Sequence, residues 1–131
     1  MVGVDIVDSG PLRSEIAAFY SGFGQADVLR AAVRDSLLIV PITSDDRVWT
    51  STVRGVRWMT AFTTLAEYAA FENARGVDAD AVYRHHTVRG RWLVDYAEQR
   101  PDPTGVLVDI AGARPMAFPP RVDEAEGPAG V

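Results

Sequence analysis

Leu37-Leu38-Ile39-Val40-Pro41-Ile42 is apolar at every position, so an extended chain here presents apolar side chains on both faces. The run is too short for a helix, and Pro41 would break one. It reads as a central strand with the proline at its end. The turn-forming Ser44-Asp45-Asp46 follows, and Arg47 to Val53, rich in Val, Trp and Thr, reads as a second strand. Gly55 marks the next turn. Val56, Trp58, Thr60 and Phe62 then alternate with Arg57, Met59 and Ala61, which predicts a third strand paired with the second as a hairpin.

Helices flank this β region. Upstream, Ser9 is placed to cap a helix with Pro11 in its first turn, and Leu12, Ile16, Phe19 and Tyr20 recur at helical spacing. Gly22 and Gly24 interrupt before Val28, Leu29, Ala32 and Val33 resume the period up to Ser36, giving a helical hairpin or one broken helix. Downstream, Thr64-Leu65-Ala66-Glu67 has the form of a capping box and opens a helix through Tyr68, Ala69 and Phe71 that stops at Gly76. Ala81 to Thr87 is expected as a strand, and Arg91 to Gln99 as a helix ending before Pro101 and Pro103. Gly105-Val106-Leu107-Val108-Asp109-Ile110 reads as another apolar strand, and Met116 to Phe118 as a short closing one. The order α, α, β, β, β, α, β, α, β, β favours an α+β fold with a mixed sheet of five to six strands and covering helices.

At 131 residues the chain has room for one core. A single domain is expected over residues 1–121, with 1–8 flexible and 122–131 a disordered acidic tail around Asp123, Glu124 and Glu126. Cysteine is absent, which removes disulfides, thiolate metal sites and cysteine nucleophiles and suits a cytoplasmic protein. The first residues lack the basic and apolar pattern of a secretory leader and no apolar run reaches membrane length, so neither export by a standard signal nor a membrane span is expected. Every basic residue is arginine, the mark of a GC-rich bacterial genome. The net charge of −5 is concentrated at the two ends, leaving twelve acids against twelve arginines between residues 16 and 121. A neutral body with acidic ends argues against nucleic-acid and anionic-membrane binding.

Three strings carry a family likeness. They are the helix running into Leu37-Leu38-Ile39-Val40-Pro41, the block Gly55-Val56-Arg57-Trp58-Met59-Thr60-Ala61-Phe62-Thr63 leading into a capped helix, and the strand Gly105-Val106-Leu107-Val108-Asp109 followed by Phe118-Pro119-Pro120. From Phe19 to Pro120 the chain resembles the N-terminal domain of the SseB family in its short actinobacterial form. The resemblance implies an α+β domain with no established general biochemical activity, and none of the three strings is a catalytic motif. Longer members add a C-terminal domain, which is not expected within these 131 residues.

The candidate chemistry is sparse. His85 and His86 are adjacent and point to opposite faces of a strand, so they cannot readily share a metal, and the spacing to Asp78, Asp80 and Asp95 matches no ligand pattern. Arg84, His86, Arg89 and Arg91 form the one locally basic stretch and, beside Gly90, are candidates for holding an anionic metabolite. The alternative is a solvated loop whose arginines pair with Asp78, Asp80, Asp95 or Glu98. Gly22-Phe23-Gly24 precedes the first strand and so fails as a dinucleotide fingerprint. No Gly-x-Ser-x-Gly elbow occurs, and Ser44-Asp45-Asp46 is ordinary turn chemistry.

The expectation is therefore a non-catalytic protein-interaction module without cofactors, a monomer or weak homodimer whose partner is another protein. The rival is a small ligand-binding domain or enzyme using Arg84 to Arg91. Arg47 to Val53 is polar enough for a sheet edge, and Trp49 on it is a candidate interface anchor, unless it packs beneath a helix.

Overall fold

The computed structural model describes residues 9–76 and 84–120. The expected acidic tail, the N-terminal segment 1–8 and the first three residues of the Ala81 to Thr87 segment lie outside the described residues. The elements run α1 (Gly10–Tyr20), α2 (Ala26–Asp35), β1 (Leu37–Pro41), β2 (Thr50–Val53), β3 (Val56–Ala61), α3 (Leu65–Ala74), β4 (His85–Arg89), α4 (Gly90–Gln99), β5 (Thr104–Val108) and β6 (Met116–Phe118). This is the order read from the sequence. The fourth described strand begins at His85 and reaches Arg89, further along than expected, and α4 follows it without a linker.

The α+β class holds, but the strands form two sheets instead of one. β1 pairs with β4 antiparallel, while β2, β3, β5 and β6 form a four-stranded mixed sheet in that order. β3 and β5 run parallel, and the other neighbours are antiparallel. The isolated pairs Ile39↔Phe62 and Ile42↔Val48 link the two sheets, together with a bond from Trp49 N–H to the Pro41 carbonyl at 3.0 Å. The reason is local. Phe62 lies just beyond β3, and Thr63-Thr64 then turn into α3, so the part of β1 before Ile39 has no extended chain opposite it on this side, while Pro41 is instead engaged by Trp49.

The helices cover both faces. Leu12 and Ile16 of α1, Leu29 and Val33 of α2, and Leu93 and Ala97 of α4 pack with Leu38, Val40, Met59, Ala61, Val106 and Val108. On the other face Ile39 and Phe62 pack with Tyr68 and Phe71 of α3. Both faces of β1 are thus buried, as its sequence demands. Burying these apolar side chains stabilises the domain by about 1.5–3 kcal/mol for each fully enclosed one.

Several details differ from expectation. In β3 Met59, Thr60 and Ala61 are all buried, whereas Trp58 is only half-buried. It lies against Gly105, where an added Cβ would sit 2.5 Å from the indole. The two N-terminal helices form a hairpin, because Gly22 adopts φ +89 and Gly24 packs so closely on Phe19 that a Cβ would fall 2.4 Å from its Cα. The buried stripe of α1 stops at Ile16, leaving Phe19 and Tyr20 exposed. Ser9 makes no cap bond to α1, and its hydroxyl instead donates to the Thr63 carbonyl at 2.6 Å. The β2–β3 hairpin closes through Arg54 and Gly55, both at positive φ, the backbone that a two-residue hairpin requires.

Candidate functional site

Trp49 directly precedes β2 and is half-buried against α3. Its ring meets Phe71 edge-on at 5.7 Å between centroids, and the Arg75 guanidinium lies 4.6 Å above it. It therefore packs with a helix of its own domain. The basic stretch is dispersed along β4 and into α4. Arg84 pairs with Asp46 and donates to the Thr43 and Ser44 carbonyls, and Arg91 pairs with Asp35 at 2.9 Å. These partners come from around β1, not from Asp95 or Glu98. Asp95 instead pairs with Arg34 at 3.2 Å, and Asp78 and Asp80 lie outside the described residues. Arg89 is exposed at the N-cap of α4. His85 and His86 are both exposed, and the His85 ring packs on Tyr68 at 5.1 Å. Among the described residues no group of three or more His, Cys, Asp or Glu is arranged to hold a metal ion.

The best-built polar site lies elsewhere, at the carboxyl ends of the two parallel strands. Open α/β sheets commonly bind ligands in the crevice at that end. Ala61 of β3 stands opposite Val108 of β5, so the residues that follow, Phe62-Thr63 and Asp109, emerge side by side. Asp109 is 7 % exposed and left-handed at φ 53. Its carboxylate accepts from the Thr63 N–H at 2.8 Å and the Thr63 hydroxyl at 2.7 Å. Its own N–H donates to the Ala61 carbonyl at 3.0 Å, and its carbonyl accepts from Gly112 N–H. Each bond fixes the carboxylate in place.

Glu67 joins it from the first turn of α3. The expected capping bond forms, with Glu67 N–H donating to Thr64 Oγ1 at 3.1 Å. The Glu67 carboxylate, however, rests against Gly112, where a Cβ would lie 2.2 Å from Oε1. Arg13 and Tyr20 of α1 and Arg114 of the β5–β6 loop complete a cleft of about 730 Å³. The Tyr20 hydroxyl donates to the Pro115 carbonyl and ties that loop to α1.

Burial raises the Asp109 pKa above its ordinary value, against the lowering effect of the Thr63 bonds and the Arg13 charge. Glu67 is raised by desolvation and then by the Asp109 charge, again with Arg13 opposing. The arrangement holds two carboxylates whose protons bind more tightly than usual, beside two guanidinium groups. Perturbed carboxyls in a cleft are a mark of functional sites.

Sequence reading took Thr63, Glu67 and Asp109 as strand and capping residues. The one available signal was an acid directly after an apolar strand.

A second cleft, of about 390 Å³, lies between α2, α4 and β5, with Val33, Ala97 and Val106 in its wall and Arg34 and Asp95 beside them. Neither cleft is lined by Trp49, Arg84, His86, Arg89 or Arg91. Comparison of the chain with family models, curated proteins and solved structures gives no match.

Proposed function

We propose that this domain is a non-catalytic protein-interaction module, SseB-like in architecture, that receives an extended segment of another protein on the open edge of β2. The observation that carries the reading is an unguarded edge strand. β2 ends the four-stranded sheet, and Thr50-Ser51-Thr52-Val53 contains no charge and no proline, the usual devices that keep sheet edges from pairing. Arg57 N–H donates to Pro103, away from β2. Thr52, opposite Arg57, is therefore in a non-hydrogen-bonded pair, and the backbone groups of Thr52 and Thr50 face outward. Adding a strand satisfies such groups through main-chain bonds.

The rival reading, an anionic metabolite held by Arg84, His86, Arg89 and Arg91, is less well supported. Arg84 and Arg91 are already engaged by Asp46 and Asp35, and neither described cleft includes the four side chains.

The test uses Thr52→Pro, which removes an outward N–H and should leave the β2–β3 ladder intact. A partner is captured from the native host and identified, and its complex is examined by amide hydrogen exchange. Thr50 and Thr52 amides should exchange fast in the free protein and slowly in the complex. Thr52→Pro should weaken binding at least about tenfold with the unfolding midpoint nearly unchanged. Equal binding by the variant, or no added protection at Thr50 and Thr52, overturns the proposal.

A further inference from the structure

The cleft at the carboxyl ends of β3 and β5 holds opposite charges that are not paired with one another. Arg13 and Arg114 line it with Glu67 and Asp109, yet none of the ion pairs among the described residues includes any of the four. Elsewhere among the described residues Arg34, Arg47, Arg57, Arg75, Arg84 and Arg91 each pair with an acid, whereas Arg30, Arg54, Arg89 and Arg100 form no ion pair.

The carboxylates are held back by their own contacts. Asp109 is fixed by both donors of Thr63, and Glu67 rests on the Gly112 backbone. The arginines stand on other elements, Arg13 on α1 and Arg114 on the loop that Tyr20 anchors. The four charged groups thus line one cleft with no ion pair between them, and Asp109 is the one held by hydrogen bonds.

We propose that this cleft binds a small zwitterion, a molecule carrying one ammonium and one carboxylate group, with the carboxylate on Arg13 and Arg114 and the ammonium on Glu67 and Asp109. A ligand of one sign meets like charge on one wall, whereas a zwitterion meets opposite charge on both. Bidentate bonds from guanidinium to carboxylate supply orientation as well as attraction. The raised proton affinity of Glu67 and Asp109 adds a direction: an incoming ammonium favours their charged forms, so binding weakens as pH falls and the carboxyls protonate.

The experiment titrates the full chain, labelled with nitrogen-15, with glycine, 3-aminopropanoate and 4-aminobutanoate, which differ only in the separation of their two charges. At least one should give saturable shifts of the Thr63 and Gly112 amide resonances. Its N-acetyl derivative, lacking the ammonium, and its amide, lacking the carboxylate, should each bind at least about tenfold more weakly. Arg114→Gln, Arg13→Gln and Glu67→Gln should each weaken the parent compound about tenfold with unfolding midpoints preserved, since none of these side chains is buried in the core. The proposal is overturned if no member saturates, if the derivatives bind as well as the parent, or if the shifts fall outside the cleft. The β2 edge takes no part in these measurements, so their failure leaves the interaction reading standing, and the reverse is also true.

Discussion

Replacing Asp109 separates what its carboxylate does for the fold from what its charge costs. Asp109→Ala strands the Thr63 N–H and hydroxyl, in a residue that is 1 % exposed. A buried donor left without its acceptor costs about 1–3 kcal/mol, and two such losses bring the expected destabilisation to roughly 2–6 kcal/mol. Alanine also lacks the short polar side chain that eases left-handed backbone at φ 53. Asp109→Asn behaves differently. Its amide oxygen accepts from Thr63 N–H, its NH₂ donates to the Thr63 hydroxyl, and asparagine tolerates the left-handed backbone, so both bonds survive without the buried charge. At neutral pH this variant should fall within about 1 kcal/mol of the wild type or exceed it.

The sign of the pH dependence follows from the raised pKa. A carboxyl whose folded pKa lies above its unfolded value of 3.8 holds more proton in the folded state throughout that window. The free energy of unfolding therefore falls as pH rises from the unfolded to the folded pKa, and levels off above it. Relative to Asp109→Asn, the wild type should lose stability as pH increases through this range. Urea denaturation of the three proteins at a series of pH values from acid to neutral measures both effects. An Asp109→Ala cost below about 1 kcal/mol, or a gap between wild type and Asp109→Asn that ignores pH, would refute the account of a buried, bond-restrained charge.

Two further variants test the packing. Leu38→Ala removes a fully enclosed side chain from the larger core and should cost about 2–5 kcal/mol in chemical denaturation, a loss under about 1 kcal/mol showing that β1 is not packed as described. Trp49→Ala removes the edge contact with Phe71 and the stacking of Arg75, and thermal unfolding should register a loss of roughly 2 kcal/mol, whereas an unchanged midpoint would return Trp49 to the role of a free interface anchor.

Local pattern made the element order legible because each element carries its own period and punctuation. Leu37 to Ile42, the Arg54-Gly55 hairpin and the Thr64 cap are all decided within a few residues of chain. What the pattern left out was the partner of each strand. The alternation in β3 was clear, yet which of its faces is buried depends on helices contributed from both ends of the chain, and the larger core took Met59 and Ala61 instead of Trp58. The separation into two sheets likewise depends on where Phe62 stops being extended relative to Ile39, a tertiary fact. The arginines of the basic stretch found acids across β1, at Asp35 and Asp46, which sequence neighbourhood does not reveal.

The cleft was hidden for the same reason. Thr63 and Asp109 are 46 residues apart, and nothing local to either announces the other. They meet because β5 lies parallel to β3 with Ala61 opposite Val108, so that two chains leaving the same edge in the same direction deliver their next residues to one place. Parallel pairing needs a long crossover, here the stretch holding α3, β4 and α4, and that crossover also puts the first turn of α3 and its Glu67 at the same edge. α1 then closes the side with Arg13 and Tyr20. A carboxylate that reads in sequence as the end of a strand, and a glutamate that reads as half of a capping box, thus become neighbours through topology, and Arg13 acts on both of them from a third element.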